Sequence, residues 1–589
     1  MSRLLTIVGF FLACFVIVLQ ILTKVFPLWA YLIAVVVLGV SLALLIWRFK
    51  SPRWVKYLLI AFIAVLITCL YFLGTRFSVL PFGDAYAQYG LLQDALNKGK
   101  LMSVFPTATN FTSSPSAQFS TYGAWPGTQL LGVAFSYSTG IKALYTAMLL
   151  PLICKMIAVL FIFLLMNRLM TDLQLNADPF LALIIVITSS WLMLPPDFFY
   201  QQFALCFWFA CVYLIYLLMV TPQNSGLLIS LLILSCALVI THGSTPLFLL
   251  FYLLFLAILF FIKTRRFFRP NIPNIKTGVN PQLWVDLSLC FGAVLGFWWI
   301  YFSTGIWAQM PSRIQYLWNA ITTGEFQIYS FQEYGASPPK IDYPLWGTLA
   351  LTVRDGITII GVIVGFIFIF FKFRQSHART FLLSSLVFAG ILTVVDVLFI
   401  KVATYREIGM FIPFWTLCAV AAFALWERFN KRLVVLLNAV VVIIVVFAAL
   451  TGQWGNRYLP VFLYDPNVSA VQSGDHSLDW KYVNNTLGNK LNFNMIDRII
   501  TDEKYDASLI VPIDDWTKIE VAGLNDTPVS DSTVTFMFRD FNIRQTYIEQ
   551  AMGINYDPLF NATNFIADLN AHSNLIYTTD TTQVWIGGY

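Results

Sequence analysis

The sequence predicts a polytopic α-helical membrane protein that ends in a polar α/β domain, and three observations lead to this fold class. Hydrophobic residues make up 58% of the chain and charged residues 11%, against roughly 45–50% and 25% in soluble proteins. The apolar residues fall in long runs, each close to the roughly 20 residues that a helix needs to cross the hydrocarbon layer. After position 455 these runs stop and the chain becomes polar.

The apolar runs predict about 13 crossings when each helix is counted at roughly 20 residues. The runs at 179–195 and 226–241 are short and bounded by Pro or Gly. The predicted spans are 4–23, 28–47, 55–74, 142–166, 179–195, 199–220, 226–241, 246–263, 284–303, 354–372, 380–400, 408–426 and 432–450.

Lys and Arg residues set the predicted orientation. They concentrate in four connections, at 48–56, 263–269, 372–379 and 428–432, and cytoplasmic loops carry an excess of these residues. The N-terminus is therefore predicted on the cytoplasmic side of the plasma membrane, and an odd number of crossings places the C-terminal segment on the outer side. The net charge of +6 lies mostly in these loops, where it meets anionic lipid rather than nucleic acid.

Two domains follow from this pattern. Residues 1–454 form the predicted transmembrane domain, with long outer loops at 75–141 and 304–353. Loops of that length are uncommon unless they are functional or disordered. Residues 455–589 are numerous enough for one small extracytoplasmic domain.

The C-terminal domain is predicted to be α/β because strand-like and helix-like patterns both occur in it. β-Branched and aromatic residues favour strands at 508–511, 533–537 and 583–586. Helical patterns occur at 544–552 and 562–571.

Motifs for N-linked glycosylation fall on the predicted outer side of the membrane. A motif at Asn525 is followed by Pro528, which disfavours its use. The candidate glycosylation sites are Asn110, Asn467, Asn484 and Asn561.

Asp84 is the first candidate for chemistry. The run 84–96 has helical periodicity, which places Asp84 at a helix N-terminus beside the predicted membrane surface. A carboxylate there can accept a proton from an alcohol or bind a divalent cation. The structural alternative is an N-cap, a position that Asp often fills. Asp197 opens the helix after two prolines and has the same two interpretations.

Three cationic candidates also lie on the predicted outer side. His242, in the turn 241–246, is either a phosphate-binding or proton-transferring residue or a structural one. Lys401 and Arg406 lie in an outer connection, against the charge rule. A guanidinium can bind two phosphate oxygens at once, whereas a salt bridge to Glu407 is the structural alternative.

Further ionisable candidates lie in the second outer loop and within the apolar runs. Glu325 and Glu333 belong to the outer loop 304–353 and, like Asp197, are candidates for binding an acceptor or a metal. Lys155 and Asp396 lie inside apolar runs, where an ionisable residue is a functional candidate by default.

The motif Asp84-Ala85-Tyr86, in the first outer loop and followed by a helix, resembles the GT-C superfamily of polytopic membrane glycosyltransferases. In the oligosaccharyltransferase catalytic subunits of that superfamily the equivalent stretch is Asp-Ala-Tyr-Tyr-His. A bundle of membrane helices followed by an outer domain is also the plan of that subfamily. The likeness extends to Trp125-Pro126-Gly127, to the turn 241–246, and to Tyr405-Arg406 followed by Pro413.

The resemblance implies glycosyl transfer at the outer membrane face, from a polyprenyl-phosphate-linked sugar to an acceptor glycan, lipid or protein. Asp84 would take the proton of the acceptor hydroxyl in a single inverting displacement. Arg406, with Lys401 or His242, would stabilise the charge on the departing phosphate. A divalent cation, Mg²⁺ or Mn²⁺, is the candidate cofactor.

The chain also departs from the oligosaccharyltransferase pattern. It lacks the Trp-Trp-Asp-Tyr-Gly motif that reads the acceptor sequon, and Asp84 has no second Asp two residues away. A related enzyme of prokaryotic type therefore fits better than sequon-directed transfer to protein. Two other functions stay open: a transporter or flippase of lipid-linked glycan, which would use Lys155 and Asp396, and a non-catalytic membrane subunit or surface anchor.

Overall fold

The computed structural model describes most of the helical part of the chain and short stretches of the C-terminal part. The described residues are 3–23, 25–49, 52–74, 83–99, 125–175, 179–188, 200–264, 281–302, 315, 322, 345–372, 376–395, 413–421, 431–451, 495–501, 518–521, 533–537, 571, 573–578 and 583–587.

The predicted apolar runs form helices. Seven of the described helices are long and apolar enough to cross a membrane, and three more are apolar but shorter. The chain is therefore a membrane protein, while the number of crossings stays a prediction. In chain order the helices are α1 (Arg3–Thr23), α2 (Leu28–Ala43, continued by a π turn at Leu44–Arg48), α3 (Arg53–Gly74), α4 (Gly83–Lys98), α5 (Gly127–Thr139), α6 (Ala143–Asp172), α7 (Pro179–Ile187), α8 (Tyr200–Val220), α9 (Ser225–Thr241), α10 (Thr245–Thr264), α11 (Pro281–Tyr301), α12 (Leu345–Lys372), α13 (His377–Val395), α14 (413–421) and α15 (Lys431–Thr451).

Most helix boundaries lie within a few residues of the predicted runs, and three differ more. Helix α6 extends past residue 166 to Asp172, where the ion pair between Arg168 and Asp172 (3.0 Å) supports the last turn. Helix α7 ends at Ile187, and the rest of the predicted run to 195 lies outside the described residues apart from Thr188. Helix α12 begins at Leu345, so the end of the loop predicted at 304–353 is helical.

Charged side chains collect at one end of the helix bundle. The hydroxyl of Tyr216 in α8 donates to the Asp172 carboxylate at the end of α6. At the start of α3, Lys56 lies 5.4 Å from the ring centroid of Phe180 in α7, and Tyr57 lies 5.5 Å from Phe163 in α6. These contacts place the start of α3 and the ends of α6 and α8 together.

The short helices α4 and α5 lie at the other end of the bundle. The hydroxyls of Ser136 in α5 and Thr146 in the first turn of α6 are 2.7 Å apart. Helix α6 has 30 residues, so its first turn is about 40 Å from its last. Helix α5 therefore sits on the end of α6 that is remote from Asp172. Both α4 and α5 belong to the loop predicted at 75–141, and α4 confirms the predicted helix at 84–96.

Helices α12 and α14 touch through two glycines. A Cβ at Gly361 would lie 2.9 Å from the Cβ of Ala419, and a Cβ at Gly365 would overlap the carbonyl group of Cys418. Glycines four residues apart allow two helix backbones to approach closely inside a membrane. This contact fixes α14 against α12.

The described part of the C-terminal segment is a five-stranded mixed sheet of order β2-β1-β3-β5-β4. Strand β1 pairs in parallel with β2 and β3, whereas β5 pairs antiparallel with β3 and β4. Parallel neighbours need crossover connections, and the α/β class of this segment stays a prediction. The strands are β1 (Arg498–Thr501), β2 (Ile519–Val521), β3 (Thr533–Met537), β4 (Ser573–Thr578) and β5 (Gln583–Gly587).

Two strands were expected from the sequence and are confirmed, at 533–537 and 583–587. The strand predicted at 508–511, the helix at 544–552 and nearly all of the helix at 562–571 lie outside the described residues. Among the described residues of the sheet, the most deeply buried are Ile499, Ile500, Thr533 and Val534, followed by Trp585.

Candidate functional site

Two motifs that are far apart in the sequence pack directly against each other. A Cβ at Gly127 would lie 2.5 Å from the hydroxyl oxygen and 2.9 Å from the Cα of Thr241. A Cβ at Gly243 would overlap the six-membered ring of the Trp125 indole. Because only glycine fits at either position, the start of α5 and the turn between α9 and α10 form one tight contact. We refer to residues 125–129 and 240–245 together as the junction.

His242 is a buried part of this junction, with 2% of its surface exposed. The backbone N–H of Thr245 donates to its Nδ1 atom (3.1 Å), and the Thr245 hydroxyl oxygen lies 2.5 Å from the same nitrogen. A backbone N–H can only donate, so Nδ1 accepts and the neutral ring carries its proton on Nε2. The imidazole therefore satisfies a free N–H at the start of α10, and this bond requires that Nδ1 be unprotonated.

Helix α4 is tied to the junction by two buried amides. The side chain of Gln129 donates to the Oε1 atom of Gln88, and both residues are buried. Exchanging the oxygen and nitrogen of the Gln129 amide would let it donate to the carbonyls of Trp125 (3.1 Å) and Pro126 (3.2 Å), and the Gln88 amide must then be exchanged as well, so that its nitrogen donates to the Gln129 oxygen. In either orientation the two glutamines join α4 to the start of α5.

Asp84 lies in the first turn of α4, as the sequence predicts. It precedes Gln88 by four residues, and residues four apart lie on the same face of a helix. Later in α4, burial raises the pKa of Tyr89 to about 12, so its hydroxyl stays protonated while it accepts a hydrogen bond from Gln93 (2.7 Å).

The buried polar side chains around the junction are uncharged apart from the ionisable imidazole. They come from α4, α5, the start of α6 and the turn before α10. Among the described residues at 88–146 and 241–245 they are Gln88, Thr128, Gln129, Ser136, Thr146, Thr241, His242 and Thr245.

Two buried cations lie elsewhere in the helical part. Lys155 in α6 is 7% exposed. Arg354 in α12 is 6% exposed, and its Nη1 atom donates to the carbonyl of Thr188 (3.5 Å) just after α7. Arg354 therefore serves one of the unpaired carbonyls at that helix end.

The other predicted site residues lie outside the described part of the chain, and their roles stay predictions. They are Asp197, Glu325, Glu333, Lys401, Arg406 and Asp396, together with the candidate glycosylation sites Asn110, Asn467, Asn484 and Asn561. For Asp84 the structure describes the backbone and not the side chain. Among the side chains that are described, no three His, Cys, Asp or Glu residues come together as metal ligands.

Sequence reasoning did not select Gln88, Gln129, Thr128 or Arg354. The helical period gives a weak signal for the glutamines, because Gln88 follows Asp84 by one turn. Arg354 offered a signal as an arginine at the edge of an apolar run, where a charge is costly without a partner.

The chain is similar to several solved structures. One is the archaeal oligosaccharyltransferase AglB from Archaeoglobus fulgidus in complex with an inhibitory peptide and a dolichol-phosphate, which is 12% identical over 92% of this chain and 75% of that chain, with a TM-score of 0.46. Another is ArnT from Cupriavidus metallidurans bound to undecaprenyl phosphate, 11% identical over 90% of this chain and 97% of that chain, also with a TM-score of 0.46.

The Archaeoglobus fulgidus oligosaccharyltransferase is also known in complex with Zn and sulfate, and that structure is 11% identical over 90% of this chain and 73% of that chain, with a TM-score of 0.45. No protein-family model matches the sequence, and no curated protein matches it at a significant level. The first of these structures is an oligosaccharyltransferase, the kind of enzyme that the motifs around Asp84 resemble.

Proposed function

We propose that the chain is a membrane glycosyltransferase that moves a sugar from a polyprenyl-phosphate-linked donor to an acceptor at the outer membrane face. The observation that supports this most is the junction. The helix that begins with Asp84, the Trp125–Gly127 segment and the turn with His242 meet at the end of the bundle opposite the charged cluster around Asp172. A lipid-linked donor requires such an arrangement, with polar groups at the surface and apolar helices beneath.

In the proposed reaction Asp84 is the general base. It takes the proton of the acceptor hydroxyl while the acceptor oxygen attacks the anomeric carbon. The bond between that carbon and the phosphate oxygen breaks, and its electron pair leaves with the polyprenyl phosphate. One displacement of this kind inverts the anomeric configuration and needs no nucleophilic side chain.

The departing phosphate gains negative charge, which cations and N–H groups stabilise. Arg406 and Lys401 are the proposed cations, since a guanidinium can hold two phosphate oxygens. His242 would contribute as a neutral N–H donor through Nε2, because its Nδ1 atom accepts from Thr245. Mg²⁺ or Mn²⁺ remains a candidate cofactor, with Asp197, Glu325 and Glu333 as its candidate ligands.

A flippase or transporter of lipid-linked glycan is the second candidate function. The buried cations Lys155 and Arg354 favour it, because charges inside a membrane protein often mark a transport pathway. The two functions differ in their chemistry: a transferase cleaves the bond between sugar and phosphate, whereas a flippase moves the intact lipid.

A transfer assay on the purified full chain separates these functions. Vesicles containing the protein would receive a polyprenyl-phosphate sugar labelled in the sugar, with a mixture of glycan, lipid and peptide acceptors. We expect labelled product and free polyprenyl phosphate in equal amounts, with inverted anomeric configuration. Movement of intact donor across the bilayer without release of polyprenyl phosphate would contradict the proposal and support a flippase.

A further inference from the structure

We propose that Gln88 and Gln129 are positioning residues for Asp84, which hold α4 in the rotation that sugar transfer requires. This inference rests on the proposed function and adds two residues that act through Asp84 rather than on the substrate. It follows from the place of the buried amide pair, which lies one helical turn after Asp84 and joins α4 to the junction.

The pair connects α4 to a closely packed part of the molecule. The start of α5 is fixed against the turn before α10, because neither Gly127 nor Gly243 leaves room for a side chain. Gln129 belongs to this start of α5, and its amide bonds Gln88. With both amides exchanged, the Gln129 amide also donates to the two carbonyls at 125–126, at 3.1 and 3.2 Å.

The burial of both amides makes the rotation of α4 specific. Gln88 is 0% exposed and Gln129 is 4% exposed. Turning α4 about its own axis would carry the Gln88 amide away from Gln129 and leave both groups buried without each other, which is costly. Apolar side chains at the two positions would pack over a wider range of rotations. A buried polar pair therefore favours one register of the two helices.

The rotation of α4 decides where Asp84 lies. The backbone of Asp84 is in the first turn of the same helix, four residues before Gln88, so it moves with the helix when α4 turns. Misplacement of a reacting group by about 1 Å can lower turnover by roughly 10²-fold. Loss of the pair should therefore reduce turnover even where it costs little stability.

Sugar transfer by the full chain in vesicles tests this inference, with Gln88→Leu and Gln129→Leu combined. The donors are labelled undecaprenyl phosphates carrying glucose, mannose or N-acetylglucosamine, with the mixed acceptors. Removing both amides leaves neither one buried without a partner, so the midpoint of thermal unfolding should recover towards that of the unmodified protein. Turnover should still fall by about 10- to 100-fold, while the KM for the donor stays close to its unmodified value.

The same two changes made in Asp84→Asn show whether the pair acts through Asp84. A residue that positions the base has nothing left to position once the base is gone. We therefore expect no further loss of turnover beyond that of Asp84→Asn alone, a strongly non-additive result of the kind that coupled residues give.

Gln93→Leu is the matched control, because it removes the same kind of side chain from the same helix. The Gln93 amide donates to the hydroxyl of Tyr89 within α4 (2.7 Å), so its turnover should stay close to that of the unmodified protein. If the combined leucine variant is unstable, Gln88→Met with Gln129→Met keeps the length of both side chains and repeats the measurement.

Recovery of turnover together with stability in the combined variant would overturn the inference and leave the pair a purely structural contact. The same holds if the pair lowers turnover by an equal factor with and without Asp84. Both results leave the proposed function intact, provided that Asp84→Asn alone is strongly impaired. Near-normal transfer by Asp84→Asn would instead remove the proposed mechanism and this inference with it.

Discussion

The hydrogen bond between Gln88 and Gln129 joins α4, the helix of Asp84, to the start of α5. Both residues are buried: Gln88 is 0% exposed and Gln129 is 4% exposed. In a membrane protein with few polar groups inside, such a bond fixes one orientation of α4 rather than adding much stability. Loss of this bond should therefore lower stability mainly because one amide is left buried without a partner.

Replacing one glutamine tests whether the two amides act as a pair. Gln88→Leu should lower stability by about 1–3 kcal/mol because the Gln129 amide stays buried without its partner. Adding Gln129→Leu should recover part of the loss, since removal of both polar groups is close to neutral. The measurement is the midpoint of thermal unfolding in detergent, with Gln282→Leu on the exposed side of α11 as the control. Additive losses in the double variant would show that the two amides do not act as a pair.

At the level of single residues, the sequence allowed Asp84 to be placed at a helix start and His242 in a turn. It did not show that the Nδ1 atom of His242 accepts from Thr245, because a ring tautomer depends on the three-dimensional partner. It also gave no reason to select Thr128. A threonine hydroxyl looks the same in the sequence whether it is solvated, bonded to its own helix or buried.

Among the helices, the packed pair α12 and α14 matters most for the proposed phosphate site. Helix α14 follows the connection that holds Arg406, and it is fixed against α12 by Gly361 and Gly365. A change in this helix contact would therefore move α14 relative to α12.

Gly365→Ala should destabilise the protein by about 1–3 kcal/mol, because the added methyl group would overlap the Cys418 carbonyl and force the helices apart. Gly356→Ala is the matched control on the same helix, since a Cβ there meets nothing within 4 Å. We expect the control to be neutral or slightly stabilising, because alanine favours helix. Thermal unfolding in detergent measures both, and equal midpoints for the two variants would refute the proposed close contact.

The helices were predictable because a membrane span is specified by a long apolar run, which is a local property. The strands were harder to predict from the sequence. The alternating segments at 533–537 and 583–587 were predicted, whereas Arg498–Thr501 and Ile519–Val521 are too short to show a period. Parallel pairing of β1 with β2 and β3 depends on distant segments, and no local pattern specifies it.

For the whole molecule, the central feature is the separation of two ends. One end holds Lys56, Arg168 and Asp172, and the other holds the junction and, on α4, the ion pair of Asp94 with Lys98. With the positive-inside rule, the end with Lys56 and Arg168 is predicted to be cytoplasmic, so the junction and the C-terminal sheet are predicted to be outside.

Protease added to right-side-out vesicles tests this orientation. We expect release of a fragment that begins near residue 455, because the polar C-terminal segment is predicted to be extracytoplasmic. The N-terminus should resist until the membrane is opened. If the C-terminal segment is protected in sealed vesicles, the orientation is the opposite of the predicted one and the junction lies on the cytoplasmic side.

The most direct test of the central claim is the rate of sugar transfer by Asp84→Asn. This change keeps the shape of the side chain and removes the base, so turnover should fall by roughly 10²–10⁴-fold while the polyprenyl-phosphate donor still binds. Asp94→Asn is the control on the same helix, where the carboxylate pairs with Lys98 at 2.9 Å, and its turnover should stay close to that of the unmodified protein. Near-normal transfer by Asp84→Asn, or equal losses in both variants, would contradict the account and leave Asp84 as a helix cap.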